Sequence, residues 1–177
     1  MRRELTLERL QELMRQLALS APGGDSYRVY LVGGGTAVHA GWRESTIDAD
    51  LHSDQDAVFR DIQRIKEALS LNIEFARPED FVPPLTGAGN RHIFIETIRN
   101  VSFYHYDPYS QLLSKVIRGF RRDLLDAEQF VRCGMVDLAS FRSLVHQIPE
   151  SIYAKYPTLS RKAVLGAIDA FARTLSL

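Results

Sequence analysis

The sequence has little cysteine, no surplus of either charge and no long apolar run. Cys133 is the single cysteine among 177 residues, so the chain cannot form an internal disulfide or a cysteine-rich zinc site. No apolar stretch approaches the roughly 20 residues that a membrane-spanning helix needs, and acidic residues stand near the start where a signal peptide has its apolar core. We therefore expect a cytoplasmic protein without membrane contact.

The charges balance overall, with 22 basic and 22 acidic residues, which argues against a protein that coats nucleic acid non-specifically. They are unevenly distributed along the chain. Residues 1–90 contain 10 basic and 14 acidic residues, a net charge of −4, and residues 91–177 contain 12 basic and 8 acidic residues, a net charge of +4. This asymmetry arises either by chance or from a cation-binding carboxylate cluster beside an anion-binding surface.

Alternating and β-rich segments predict a small mixed β-sheet in the first 106 residues. The predicted strands cover residues 27–32, 46–52, 72–76, 91–98 and 101–106. Apolar residues recur at helical spacing within residues 4–19, which predicts an amphipathic helix that begins at Thr6. Ser53 and Asp56 have the pattern of a capping box, which predicts a further helix after the second strand.

Helical spacing dominates from Pro108 onward, with Asp137 and Ser160 as N-caps of later helices. These patterns predict an α+β fold in two parts. Residues 1–106 are expected to form an α/β core with its N-terminal helix, and residues 107–177 a C-terminal helical segment that packs on this core in one compact unit.

Three consecutive glycines, Gly33 to Gly35, follow the first long strand and precede a short helix. Glycines allow a sharp turn and a close approach to a ligand, and free amides at a helix start attract phosphate. An ordinary turn is the alternative interpretation. Val38 stands where the dinucleotide-binding fingerprint requires its last glycine, so a Rossmann cofactor is not expected.

Asp48 and Asp50 alternate with apolar residues, so both side chains are predicted on one face of a strand, about 7 Å apart. Carboxylate oxygens at this spacing suit Mg²⁺ or Mn²⁺ and not zinc. Glu74, in the next strand, is a candidate third carboxylate, or else the solvent-facing residue of a half-buried strand. Together with the glycine turn, this cluster predicts a site for a metal-bound triphosphate.

Residues 32–37 and 41–51 resemble the signature of the polymerase-beta-like nucleotidyltransferases, a glycine turn and short helix followed by Asp-x-Asp on a strand. The likeness is strongest to the AbiEii-type toxin nucleotidyltransferases and related uncharacterised bacterial families. Residues 104–109, Lys115 and residues 122–126 continue it, so that it spans residues 28–132.

The resemblance implies a nucleotidyltransferase-like fold and a Mg²⁺- or Mn²⁺-dependent transfer of a nucleoside monophosphate from an NTP. The acceptor would be the 3′ end of an RNA such as tRNA, a protein or a small molecule. Asp48 and Asp50 would bind the metal, and Glu74, with Glu96 as its competitor, would supply the third carboxylate. A cognate antitoxin is the implied partner.

The resemblance also assigns roles outside the metal site. Gly33 and Gly34, with Gly35 and Thr36 beside them, would bind the triphosphate. Lys115 would contact a phosphate, and the acid or base would be one of two aspartates, Asp126 or, as the second choice, Asp123.

Each of these later residues has an ordinary alternative. Lys115 also fits a solvated helix position, and acids early in a helix are favoured by its dipole. The basic residues Arg118, Arg121, Arg122 and Arg132 favour RNA as the acceptor, or else serve only the triphosphate. A non-catalytic nucleotide-binding or interaction module that retains the fold is the alternative function.

Overall fold

The structure is a computed structural model that describes residues 1–176, and it consists of two compact units. The first comprises Met1–Arg77 and Ile93–Tyr106, and the second comprises Pro78–His92 and the residues from Asp107 onward. The predicted α+β fold class is confirmed. Residues 78–92, which we expected in the core, group with the helical residues. Its prolines remove backbone N–H donors, and this segment forms short 3₁₀ turns.

A five-stranded mixed sheet forms the first unit. The strands of the chain are β1 (Leu5–Thr6), β2 (Tyr27–Val32), β3 (Ser45–Thr46), β4 (Asp48–His52), β5 (Asn72–Phe75), β6 (Ile93–Ile98) and β7 (Val101–His105). The sheet has the order β5-β4-β2-β7-β6, and β1 pairs separately with β3. The pairs β4–β5 and β2–β7 are parallel, whereas β2–β4 and β6–β7 are antiparallel. The predicted strand over residues 46–52 is interrupted at Ile47.

Helices cover one face of this sheet. They are α1 (Leu7–Ser20), α2 (Gly34–Ala40) and α3 (Ile62–Leu69). Thr6 caps α1 as predicted, since its side chain accepts a hydrogen bond from the Arg9 amide. The apolar stripe of α1 is buried against the inward-facing strand residues, and burial of this kind is the main stabilising term of such a unit.

The predicted capping box at Ser53 does not form. Ser53 Oγ donates a 2.6 Å hydrogen bond to the Arg28 carbonyl and accepts one from the Gln55 amide, so it ties the end of β4 to β2. The predicted helix is also divided into a 3₁₀ helix (Asp56–Phe59) and α3.

The second unit contains α4 (Pro108–Arg118), α5 (Arg121–Arg132), α6 (Leu138–His146) and α7 (Arg161–Leu175). The predicted N-caps Asp137 and Ser160 are confirmed at α6 and α7. Asp107 caps α4 and is held by a bidentate ion pair from Arg91 at 2.8 and 3.0 Å. Within residues 1–176, none of the helices has both the length and the apolar character needed to cross a membrane.

Candidate functional site

The glycine triplet forms a sharp turn between β2 and α2. Gly33 has φ 59° and ψ −125°, a conformation that is readily available only to glycine. Gly34 lies so close to β3 that a Cβ atom there would be 2.2 Å from Thr46 Oγ1. A Cβ atom on Gly35 would meet only Leu31 Cβ, at 3.9 Å. The turn therefore requires Gly33 for its backbone and Gly34 for its packing, whereas neither reason applies to Gly35.

Asp48 and Asp50 lie on the face of the sheet opposite the hydrophobic core. They alternate along β4 with Ala49 and Leu51, which are buried in that core, and both aspartates are partly exposed. A Cβ atom on Gly33 would lie 3.0 Å from Asp50 Oδ2. The glycine turn and one of the two predicted metal ligands are thus in direct proximity, although they are 17 positions apart in the sequence.

Glu74 lies beside the aspartates, together with a residue that the sequence interpretation missed. In the parallel register of β4 and β5, Asp48 pairs with Asn72 and Asp50 pairs with Glu74. The Asn72 Nδ2 atom donates to Asp48 Oδ1 at 2.5 Å and to Glu74 Oε1 at 3.3 Å. The sequence position of Asn72 could have identified it, because Asn72 stands two residues before Glu74 and therefore shares its strand face.

Glu96, the competing carboxylate, lies elsewhere. It pairs with Phe103 of β7, whose ring is buried in the core on the opposite face of the sheet from Asp48. Burial lowers the pKa of His39, and the charge of Glu96 partly opposes that shift. Glu96 is therefore not next to the aspartates, and the role of Glu74 as a metal ligand stays a prediction.

Asp48 and Asp50 on this face could hold a divalent cation as two carboxylate ligands. Among residues 1–176, no three His, Cys, Asp or Glu side chains are arranged as a complete metal-binding group. Mg²⁺ is commonly held by one or two carboxylates together with substrate phosphates and water, without an all-protein cage. Asp48 and Asp50, two hard oxygen donors beside the glycine turn, match that mode of binding.

Thr36 and His105 anchor the glycine turn from the core side. Thr36 is fully buried, and its hydroxyl donates to the Leu31 carbonyl at 3.2 Å and lies 3.1 Å from His105 Nδ1. Since the hydroxyl proton is used by Leu31, His105 donates through Nδ1. The structure thus gives Thr36 an anchoring role, and its predicted contact with the nucleotide stays a prediction.

Burial, together with the charge of the neighbouring His39 ring 5.1 Å away, lowers the pKa of His105 to about 4. The ordinary pKa of histidine is 6.5. In mild acid, His105 therefore binds a proton in the unfolded chain but stays neutral in the folded chain. We expect this site to cost about 3 kcal/mol of folding free energy between pH 6.5 and pH 4, with no contribution from it above that range.

Urea denaturation across this pH range tests the expectation. His105→Gln should remove most of that acid-dependent loss of stability, whereas His146→Gln, at an exposed position at the end of α6, serves as the matched control. Parallel pH curves for the parent protein and the His105→Gln variant would contradict it.

An aromatic cluster lies on the same sheet face as the aspartates. The ring centroid of Tyr30 is 5.9 Å from that of His52, 5.6 Å from Tyr104 and 5.7 Å from Tyr106. His52 follows Asp50 by two residues on β4 and shares its face. Such cross-strand contacts fix the register of β2, β4 and β7, and with it the position of Asp50.

The remaining predicted site residues belong to the second unit. Lys115 Nζ lies 2.8 Å from Asp126 Oδ2 and 3.7 Å from Asp123 Oδ1, and Arg118 makes two 2.7 Å bonds to Asp123. Both aspartates are buried, so neither is an exposed acid at a helix start. Lys115 is likewise no solvated surface residue, because its side chain is only 11% exposed. The predicted lysine and aspartate of this motif are therefore direct partners.

A family model described as "Nucleotidyltransferase of unknown function (DUF6036)" matches residues 6–174. The match confirms the resemblance to nucleotidyltransferases, while the closer likeness to the AbiEii-type toxins stays a prediction. No curated protein and no solved structure matches the chain. Because the matched region covers almost the whole sequence and contains every site residue described above, the chain belongs to this family of nucleotidyltransferases of unknown function.

Proposed function

We propose that this protein is a metal-dependent enzyme that transfers a nucleoside monophosphate from an NTP to an acceptor. The observation that carries the proposal is the proximity of Gly33 to Asp50, with Asp48 on the same face of β4, in a chain of the nucleotidyltransferase family. A turn that only glycine can form here brings backbone close to a carboxylate. Such an arrangement serves a ligand that carries both phosphates and a cation.

Asp48 and Asp50 would hold Mg²⁺ or Mn²⁺, which supplies charge neutralisation at the phosphates and activation of the attacking oxygen. The backbone of Gly33 and Gly34 would orient the triphosphate against Asp50. Asp50 keeps its place because the strands around it are locked by the aromatic cluster and the core. The protein's contribution is thus a fixed arrangement of negative charge and backbone at the reacting phosphate.

The family resemblance assigns Lys115 to a phosphate contact and Asp126 to the acid or base of the reaction. Within the second unit, the 2.8 Å ion pair with Asp126 orients the Lys115 ammonium group. Arg121 and Arg122 are exposed, which supports RNA as an acceptor to be tested first. The likeness to AbiEii-type toxins extends the proposal to a cytoplasmic toxin whose cognate antitoxin binds it.

The direct test is a transfer assay. The purified protein is incubated with Mg²⁺ or Mn²⁺ and each α-labelled NTP in turn, with tRNA, total cellular protein or a small-molecule extract as acceptor. The proposal is supported if one acceptor class becomes labelled and if this labelling is lost on addition of EDTA and in the Asp48→Asn and Asp50→Asn variants. Transfer that persists in both variants would overturn the role of the aspartates.

The second candidate is a non-catalytic nucleotide-binding or interaction module. It is favoured by one finding, the lack of a complete three-residue metal group among residues 1–176. The two candidates differ in a binding measurement made alongside the assay. Saturable binding of a Mg²⁺-loaded NTP without label transfer to any acceptor would favour the module over the enzyme.

A further inference from the structure

Asn72 occupies an unusual position between two carboxylates. It lies at the start of β5, although asparagine is depleted in strands and gains nothing there from its backbone preference. Its side chain is directed at the strand face that carries Asp48 and Glu74, with both oxygens within hydrogen-bond distance of Nδ2. Because ionised carboxylates only accept hydrogen bonds, the amide nitrogen and not the amide oxygen faces them.

This contact orients Asp48. Asp48 Oδ1 receives the 2.5 Å hydrogen bond from Asn72, and Oδ2 receives none from the described residues, so the carboxylate is held by one oxygen and presents the other. The same amide reaches Glu74 at 3.3 Å and places a donor between two like charges. A solvent-facing strand residue would need neither contact.

We infer that Asn72 is a positioning residue for the metal site: its amide holds Asp48 in the orientation that binds the cation. The inference rests on the proposed function, because it assumes that Asp48 binds Mg²⁺ or Mn²⁺. Asn72 touches neither substrate nor metal in this role. It acts through Asp48, as hydrogen-bonding partners of metal-ligating carboxylates generally do.

The test measures binding of Mn²⁺ alone, followed by electron paramagnetic resonance of the free ion. Asn72→Leu keeps the side-chain size and removes the donor, and it is expected to weaken Mn²⁺ binding about 10- to 100-fold. Asn72→Gln keeps a donating amide and should bind Mn²⁺ much more tightly than Asn72→Leu. Thr97→Val on β6 removes a different strand hydrogen bond, to Ser102, and is the matched control that should bind like the parent.

Two further measurements separate positioning from a merely structural role. The thermal unfolding midpoint of metal-free Asn72→Leu should stay close to that of the parent. Its transfer rate should be low at limiting Mn²⁺ and recover at saturating Mn²⁺, because only the affinity for the metal is reduced.

The outcomes distinguish this inference from the function on which it rests. Equal Mn²⁺ affinity of the parent and Asn72→Leu would overturn the role of Asn72 and leave the metal site intact. An Asn72→Gln variant as weak as Asn72→Leu would also overturn the role of the amide. A parent protein that binds no Mn²⁺ and transfers no label would overturn the metal-dependent function, and the role of Asn72 with it.

Discussion

Asparagine in place of Asp48 or Asp50 is expected to lower the rate of nucleotide transfer on the order of 10²- to 10³-fold with little effect on the fold. The substitution keeps the shape of the side chain and removes the negative charge that would attract the metal. Both side chains lie on the open face of β4 and not in the core, so no packing is lost. The amide oxygen of asparagine at position 48 still accepts the hydrogen bond from Asn72.

Transfer rates at saturating NTP, together with thermal unfolding midpoints, measure this expectation. Asp54→Asn is the matched control, because Asp54 is an exposed acid just beyond the same strand that contacts only His52 among the described residues. The control should keep the parent rate. A rate loss of similar size in Asp54→Asn would show that general negative charge, and not the metal site, supports the reaction.

Much of this site was predictable because its parts are local patterns. Period-two alternation places Asp48 and Asp50 on one face of the strand, whichever strands pair with it. A glycine triplet after a strand predicts a sharp turn. Their proximity was not predictable from those patterns alone. It depends on the antiparallel pairing of β2 with β4, which sets Val32 opposite Asp50.

Other features depend on partners that sequence spacing does not identify. Asn72 contacts Asp48 because β5 lies parallel to β4 in one particular register. Ser53 fits the sequence pattern of a capping box, yet its hydroxyl donates to the carbonyl of Arg28, which is distant in sequence but lies on the neighbouring strand β2. At such positions, local sequence propensity predicts the type of secondary structure but does not identify the hydrogen-bond partner of the side chain.

The charged cluster of the second unit also depends on contacts that sequence spacing does not identify. Lys115 and Asp126 are 11 residues apart on successive helices, and only the packing of α4 on α5 brings them together. The side chains of Asp123 and Asp126 are 1% and 3% exposed, so their charges depend on Lys115 and Arg118. Removing one partner from such a buried pair leaves an uncompensated charge.

Lys115→Met is therefore expected to reduce the free energy of unfolding by about 3 to 5 kcal/mol, because Asp126 stays buried without its ammonium partner. The double variant Lys115→Met with Asp126→Leu removes both charges and should recover most of that loss. Urea denaturation of the two single variants, the double variant and the parent provides the complete cycle. Arg142→Met, which breaks an exposed ion pair with Asp169, is the control and should change stability little.

The same cycle separates stability from catalysis at Lys115. A double variant that is restored in stability but fails to transfer nucleotide assigns Lys115 or Asp126 a part in the reaction, as the family resemblance implies. A stable double variant with the parent's transfer rate would assign the cluster to the fold alone. If Lys115→Met unfolds at the same urea concentration as the parent, the stabilising role of the Lys115–Asp126 ion pair is contradicted.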